Sequence, residues 1–169
     1  MNYTAQLLKE HSRSNIDYVT KAIGNNSTEF KKIIDIIYNG KAPLPQRASW
    51  LLATVNEKNP ELLEPYISKF INDIKKMKTD ATRRNMSVVL ASHKIPEKLQ
   101  GKLINVCFDL ILSSDEKVVM KVHAMQCIAN IAKEHPEIIP ELKAVIKNQL
   151  PKTTAAFHAR ARNILKKLE

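Results

Sequence analysis

The sequence predicts an all-α fold, a right-handed α-α superhelix of about four helix pairs with an N-terminal helical cap. Three observations support this prediction. A unit of about 38 residues recurs, since Ala53, Ala91 and Ala129 are evenly spaced and Pro60 and Pro136 lie two periods apart. Apolar residues follow helical spacing within each unit. Only three glycines and 5% aromatic residues argue against a β-rich fold.

The ten expected helices follow one another without a long linker. Two form a cap within residues 1–27, and the rest form pairs within residues 28–169, so we expect one domain over residues 1–169. The expected helices cover residues 3–12, 14–24, 28–39, 44–57, 60–78, 81–93, 96–112, 117–133, 136–150 and 154–168.

Proline marks the start of three of these helices. Pro60, Pro96 and Pro136 each stand where a first-turn N–H has no partner within the helix. Pro65 and Pro140 fall early in their helices, so we expect either an irregular first turn or a later start there.

Other helix ends carry capping signals. Residues 26–29 (Asn-Ser-Thr-Glu) and 113–116 (Ser-Ser-Asp-Glu) are expected to be capping boxes, and Asp80 is expected to cap a helix that begins at the next residue. Gly40 is expected to end a helix because glycine tolerates the left-handed conformation.

The net charge of +10 is the unusual part of the composition. Residues 1–68 carry 8 basic and 7 acidic side chains, whereas residues 69–169 carry 19 basic and 10 acidic ones. Such an asymmetry favours an acidic partner, either nucleic acid or an acidic protein surface. A charge that serves solubility alone remains the alternative.

The remaining features favour a cytoplasmic protein. The first ten residues contain no basic region, apolar stretch or cleavage site of a signal peptide, and no apolar run is long enough to span a membrane. Cys107 and Cys127 lie in apolar helical patterns, which predicts two buried thiols in a reducing compartment. No set of cysteines and histidines has the spacing of a metal site.

The repeated positions resemble the HEAT-repeat class of α-solenoids, close to the armadillo-like folds. In that class a proline opens the first helix, an Asp-containing turn follows, and the second helix carries a small aliphatic residue, then Arg, then Ala and Leu. Asp115 matches the aspartate of the turn. The matching second-helix positions are Leu44, Pro45, Ala48, Leu52 and Val55; Thr82, Arg83, Met86 and Leu90; Met120, Lys121, Ala124, Ile128 and Ile131; and Phe157, His158, Ala161, Leu165 and Leu168.

The resemblance implies that the second helices line a concave face. Two polar columns are then expected near the starts of those helices, one with Pro45, Arg83, Lys121 and His158, the other with Arg47, Asn85, His123 and Arg160. A basic ridge of this kind can follow a phosphate backbone, with affinity that falls steeply as salt rises. The expected binding surface comprises Arg47, Trp50, Arg83, Arg84, Lys117, Lys121, His158, Arg160 and Arg162.

Trp50, the single tryptophan, has two interpretations. We align it with Val88, Gln126 and Asn163, a column that is not consistently apolar, which favours a position in the groove for stacking on a base or anchoring a peptide. The alternative is that its ring fills space between the first two repeats.

Nothing in the sequence predicts a catalytic site, a metal or a cofactor. The five histidines are scattered, and there is no phosphate-binding glycine loop or nucleophile elbow. The resemblance extends only distantly to the HEAT-like DNA alkylation-repair glycosylases, which use a catalytic aspartate and several tryptophans. The expected second helices here have no interior aspartate, which disfavours that activity.

We therefore expect a non-catalytic scaffold that presents a concave surface to a protein or peptide partner. Nucleic-acid binding by the basic ridge is the alternative. Phosphate binding predicts strong salt dependence and a large loss on reversing Arg83, Arg84 and Lys121 together, whereas a protein partner predicts sensitivity to Trp50→Ala.

Overall fold

A computed structural model describes residues 1–168, which are helical with short connections and contain no strand. Backbone contacts divide the chain into two compact units, Met1–Val89 and a second that begins at Leu90. The α-helices are α1 (Tyr3–Lys9), α2 (Arg13–Ile23), α3 (Ser27–Asn39), α4 (Leu44–Lys58), α5 (Ile67–Asp73), α6 (Asp80–Ser92), α7 (Glu97–Leu112), α8 (Val118–Ile131), α9 (Ile139–Gln149) and α10 (Ala155–Lys167). The expected all-α fold of adjacent helix pairs is confirmed, whereas a single domain stays a prediction. None of the described helices is long and apolar enough to cross a membrane.

Side-chain caps fix the starts of the first three helices. The side chains of Asn2, Ser12 and Asn26 each accept a hydrogen bond from the backbone N–H three residues later. Each bond satisfies a donor that the helix itself leaves without a partner. Of the capping box expected at residues 26–29, only the N-cap half forms, with Asn26 as the acceptor for the Glu29 N–H at 3.0 Å. The Glu29 carboxylate accepts from Tyr3 instead, and the Asn26 N–H donates to the Ile23 carbonyl.

The prolines shape the starts of α5 and α9 as the sequence predicts. Short 3-10 turns at Pro60–Leu62 and Glu64–Tyr66 precede α5, and another at Pro136–Ile138 precedes α9. Pro65 lies inside the second of these turns, and Pro140 occupies the second residue of α9. A proline in a first turn removes an N–H that would have no helical partner, so both helices start late without losing a hydrogen bond.

Two predicted caps are wrong. Residues 113–116 form the turn before α8, where Ser113 Oγ accepts a bond from the Asp115 N–H, and α8 begins two residues later without a side-chain cap. Asp80 is itself the first residue of α6. Thr79 supplies the cap instead, because its hydroxyl accepts a hydrogen bond from the Thr82 N–H at 3.2 Å.

Gly40 ends α3 for a different reason from the one expected. Its φ is −69°, which any residue can adopt. A Cβ at this position would lie 2.5 Å from the Ile36 carbonyl oxygen, too close for any side chain. Glycine is therefore required by crowding against the last turn of α3.

The core of the first unit forms where α1, α2 and α3 pack on α4. Apolar residues at helical spacing supply it, because each helix buries only one stripe. Its fully buried side chains include Leu7, Ile16, Val19, Phe30, Ile33, Leu51, Leu52, Val55 and Phe70. Buried Asn85 donates to Ser49 Oγ at 3.0 Å, which pairs these two polar side chains inside the core.

The core of the second unit lies around α8, which packs against α7, α9 and α10. α8 is buried on several faces, including Met120, Ala124, Met125, Cys127 and Ile128. Cys107 and Cys127 are both free thiols and both buried, as expected. A hydrogen bond to Cys127, together with burial, raises the pKa of the Cys107 thiol, so it stays protonated at neutral pH.

Candidate functional site

Arg47, on α4, holds the N-terminal helix in place. Its Nη1 donates to the carbonyl oxygens of Leu7 at 2.8 Å and Leu8 at 3.1 Å. These carbonyls belong to the last turn of α1, where a helix leaves acceptors without partners and its dipole favours a cation. The guanidinium is therefore largely engaged within the first unit.

Trp50 is half-buried. The ring of His11, from the connection between α1 and α2, lies edge-on to it, with the ring centroids 5.2 Å apart and the planes at 65°. This geometry is typical of a favourable aromatic pair. The N-terminal helices thus cover part of the tryptophan, so the structure places it between the two alternatives of core and open groove.

Arg83 and Arg84 are neighbours on α6 with different environments. The Arg83 side chain is only 18% exposed; its Nη1 lies 4.0 Å from Asp80, and its Nε donates to the Ile74 carbonyl at 3.2 Å. That carbonyl lies just past the end of α5. The Arg84 side chain is exposed and makes no hydrogen bond or ion pair within residues 1–168. Arg83 is a structural residue, and Arg84 is available to a partner.

In the second unit, Lys121 is buried on α8, with 6% of its surface exposed. Its Nζ donates to the side-chain oxygen of Gln149 at 3.1 Å. Burial lowers the pKa of the Lys121 ammonium, because the charged form loses water. This lysine is unsuited to a phosphate contact.

The α10 residues are also partly engaged. His158 Nε2 lies 2.7 Å from the Leu150 carbonyl oxygen, at the end of α9, and Arg160 Nη1 donates to Gln126 Oε1 on α8 at 2.8 Å. Lys117, just before α8, and Arg162, on α10, are exposed.

The engaged side chains share a position in their helices. Arg47, Arg83, Lys121 and His158 are each the fourth residue of α4, α6, α8 and α10. Each of them contacts a helix-end carbonyl or a helix-end amide. Contacts within the fold therefore engage cations of both expected columns, Arg47 in one and Arg83 in the other.

The column in which we align Trp50 lies beside the core. Trp50, Val88 and Gln126 are each half-buried, and Asn163 is exposed. The column two residues earlier is fully buried and comprises Ala48, Met86, Ala124 and Ala161. A position of the Trp50 ring in the groove therefore stays a prediction.

A cavity in the first unit gathers residues that are mostly absent from the binding surface expected from the sequence. It measures about 660 Å³ and lies between the end of α3, the start of α4, α5 and the connection to α6. We call it the α3–α6 cavity. Its lining comprises Ile37, Tyr38, Gly40, Lys41, Ala42, Pro45, Gln46, Lys69, Asp73, Lys76, Met77, Lys78, Thr79 and Thr82.

The side chains that line the α3–α6 cavity carry a net positive charge. Four lysines and one carboxylate, Asp73, line it. Lys69 Nζ lies 3.1 Å from Asp73 Oδ2 and 4.0 Å from the centre of the Tyr38 ring, and Lys76 lies 3.9 Å from the same carboxylate. Lys41 and Lys78 are exposed and make no ion pair within residues 1–168.

The Tyr38 hydroxyl and Gln46 Oε1 are buried in the wall of this cavity. Burial raises the pKa of Tyr38, and the charge of Asp73 and a hydrogen bond to it add to this shift. The Tyr38 hydroxyl and the Asp73 carboxylate therefore interact within the wall.

The chain matches the HEAT repeat domain family over residues 3–168. It therefore belongs to that family, as the resemblance predicts. HEAT-repeat domains are generally protein-interaction scaffolds and are usually non-catalytic. No curated protein and no solved structure matches the chain. Within residues 1–168, no cluster of histidine, cysteine and carboxylate side chains could hold a metal ion.

Proposed function

We propose that this protein is a non-catalytic binding module that presents its repeat helices to a protein or peptide partner. The α3–α6 cavity is the single observation that carries the proposal. Its volume of about 660 Å³ lies in the range of ligand sites, and its lining combines apolar side chains with a few polar groups. The family's general role as a protein-interaction scaffold supports the same conclusion.

Nucleic-acid binding through the basic ridge is the second candidate, and the exposed cations favour it. Arg84, Lys117 and Arg162 are accessible, and the net charge is +10. Against it, Arg47 and Arg83 donate to backbone carbonyls, so much of the expected ridge is committed to the fold. A ridge that neutralises fewer phosphates binds nucleic acid more weakly and with a smaller dependence on salt.

The experiment compares both classes of partner on the intact chain. Fluorescence anisotropy with labelled single-stranded DNA, duplex DNA and RNA, at low and at about 150 mM salt, measures the electrostatic contribution. In parallel, chemical crosslinking in nuclease-treated extract of the source cells identifies bound proteins. We expect nucleic-acid affinity to vanish at the higher salt and a defined protein to be crosslinked there.

The control variant reverses exposed charge without touching the fold. Arg84→Glu with Arg162→Glu removes two accessible ridge cations and spares the engaged Arg47 and Arg83. If nucleic acid binds at about 150 mM salt, loses that binding in this variant, and no protein is crosslinked, the protein-binding proposal is wrong and the ridge is the functional surface.

A further inference from the structure

We propose that the α3–α6 cavity binds an acidic segment of a partner protein, in which carboxylates flank one bulky apolar side chain. This inference rests on the proposed protein-binding function and names the chemistry of the partner. Two properties of the cavity carry it: the charge around it and its apolar lining.

The charge favours a negatively charged occupant. Asp73 is the one acidic residue in the lining and already faces Lys69 and Lys76, so the four lysines exceed it by three charges. The starts of α4 and α6 also line the cavity, at Pro45 and Thr82 among others, and the positive end of each helix dipole favours carboxylates there. Exposed Lys41 and Lys78 are placed to pair with incoming carboxylates.

The apolar part of the lining indicates that the occupant carries an apolar side chain as well as negative charge. Ile37, Ala42, Pro45 and Met77 contribute to the cavity together with the aromatic ring of Tyr38. Methionine adapts its shape to irregular apolar partners. A cavity of about 660 Å³ has room for one large side chain with the backbone that carries it.

Charge and apolar lining together distinguish a peptide from a nucleic-acid backbone. A phosphodiester backbone supplies negative charge but no apolar side chain, whereas an acidic peptide segment supplies both. A peptide therefore matches the lysines and the apolar side chains of the cavity at the same time.

The test uses a defined probe, the fluorescein-labelled peptide DELED with a blocked C-terminus, measured by anisotropy at about 150 mM salt. A second peptide, NQLQN, has the same apolar residue and no carboxylate. We expect the intact protein to bind DELED with a dissociation constant on the order of 10⁻⁴ M, and NQLQN at least tenfold more weakly.

Charge reversal locates the binding. Lys76→Glu with Lys78→Glu changes two exposed lining residues and should weaken DELED binding tenfold or more. Lys98→Glu with Lys102→Glu makes the same change in net charge on exposed positions of α7 and should alter it less than twofold. Should the first double variant fail to fold, Lys41→Glu tests the same cavity from an exposed loop.

The outcomes separate this inference from the proposed function. Equal binding of both peptides, no binding of DELED, or equally weakened binding in the two double variants would overturn the acidic-segment inference. If a protein crosslinked in extract is retained by Lys76→Glu with Lys78→Glu, the inference is wrong and the chain is a protein-binding module that uses another surface. If labelled RNA or duplex DNA competes with DELED for the cavity, the occupant is a nucleic acid and the inference is wrong.

Discussion

Replacing Arg47 by methionine tests whether the buried cations of the expected basic ridge stabilise the fold. The change keeps most of the apolar stem and removes the guanidinium that donates to the Leu7 and Leu8 carbonyls at 2.8 and 3.1 Å. Those carbonyls end α1, a seven-residue helix. A helix this short has little stability of its own, so it depends on contacts of this kind.

The expected magnitude follows from the two hydrogen bonds. A hydrogen bond from a charged donor contributes about 1.5–3 kcal/mol when buried, and a cation at a helix C-terminus about 0.3–1 kcal/mol. Because Arg47 is half-buried, we take a total of about 2 kcal/mol for the whole interaction. With a denaturant slope of about 2 kcal/mol per molar urea, the unfolding midpoint should fall by about 1 M.

Urea titration followed by the fluorescence of Trp50 measures this directly. Trp50 is the single tryptophan and contacts His11 between α1 and α2, so release of the N-terminal helices alters its emission. Arg84→Met is the matched control, because the Arg84 side chain is exposed on α6 and makes no hydrogen bond or ion pair within residues 1–168. Its midpoint should move by less than about 0.2 M. Equal shifts for the two variants would refute the capping role of Arg47.

Two further predictions concern stability and are checked by urea titration. Gly40→Ala should destabilise the protein by more than about 1 kcal/mol, because the added Cβ meets the Ile36 carbonyl, whereas Gly101→Ala, in open space on α7, should stabilise it by about 0.5–1 kcal/mol; the reverse order would contradict the structure. Because burial lowers the pKa of Lys121, its protonation opposes folding below the unfolded value of about 10.4. Wild type should therefore gain stability relative to Lys121→Met between about pH 7 and about pH 10, and a decrease would refute the assignment.

Local signals in the sequence predicted most of the fold. Prolines, apolar periodicity and the cap at Asn26 each act within a few residues, so the positions of the helices followed from them. The misplaced caps at residues 80 and 113–116 share one cause. Several Ser, Thr and Asp side chains are adjacent in both turns, and tertiary contacts decide which of them lies at the helix start.

The site was harder to predict because it depends on contacts between distant segments. The α3–α6 cavity brings Lys41 together with Lys69, Lys76 and Lys78, which the sequence analysis left unassigned because the path of the α3–α4 connection cannot be read locally. The structural role of Arg47 and Arg83 could not be predicted from the sequence either. A cation at the fourth residue of a helix looks the same in sequence whether it faces a phosphate or, like Arg83, a carbonyl.

The most direct test of the α3–α6 cavity as the binding surface is a two-dimensional amide NMR titration of the ¹⁵N-labelled chain with DELED. We expect the largest shift changes at amides of the cavity lining, such as Gly40, Lys41, Gln46 and Thr79. The amides around Lys117 and Arg162 should stay nearly unchanged. Shift changes concentrated near Arg84, Lys117 or Arg162, with none at the cavity, would contradict the account and return the basic ridge as the binding surface.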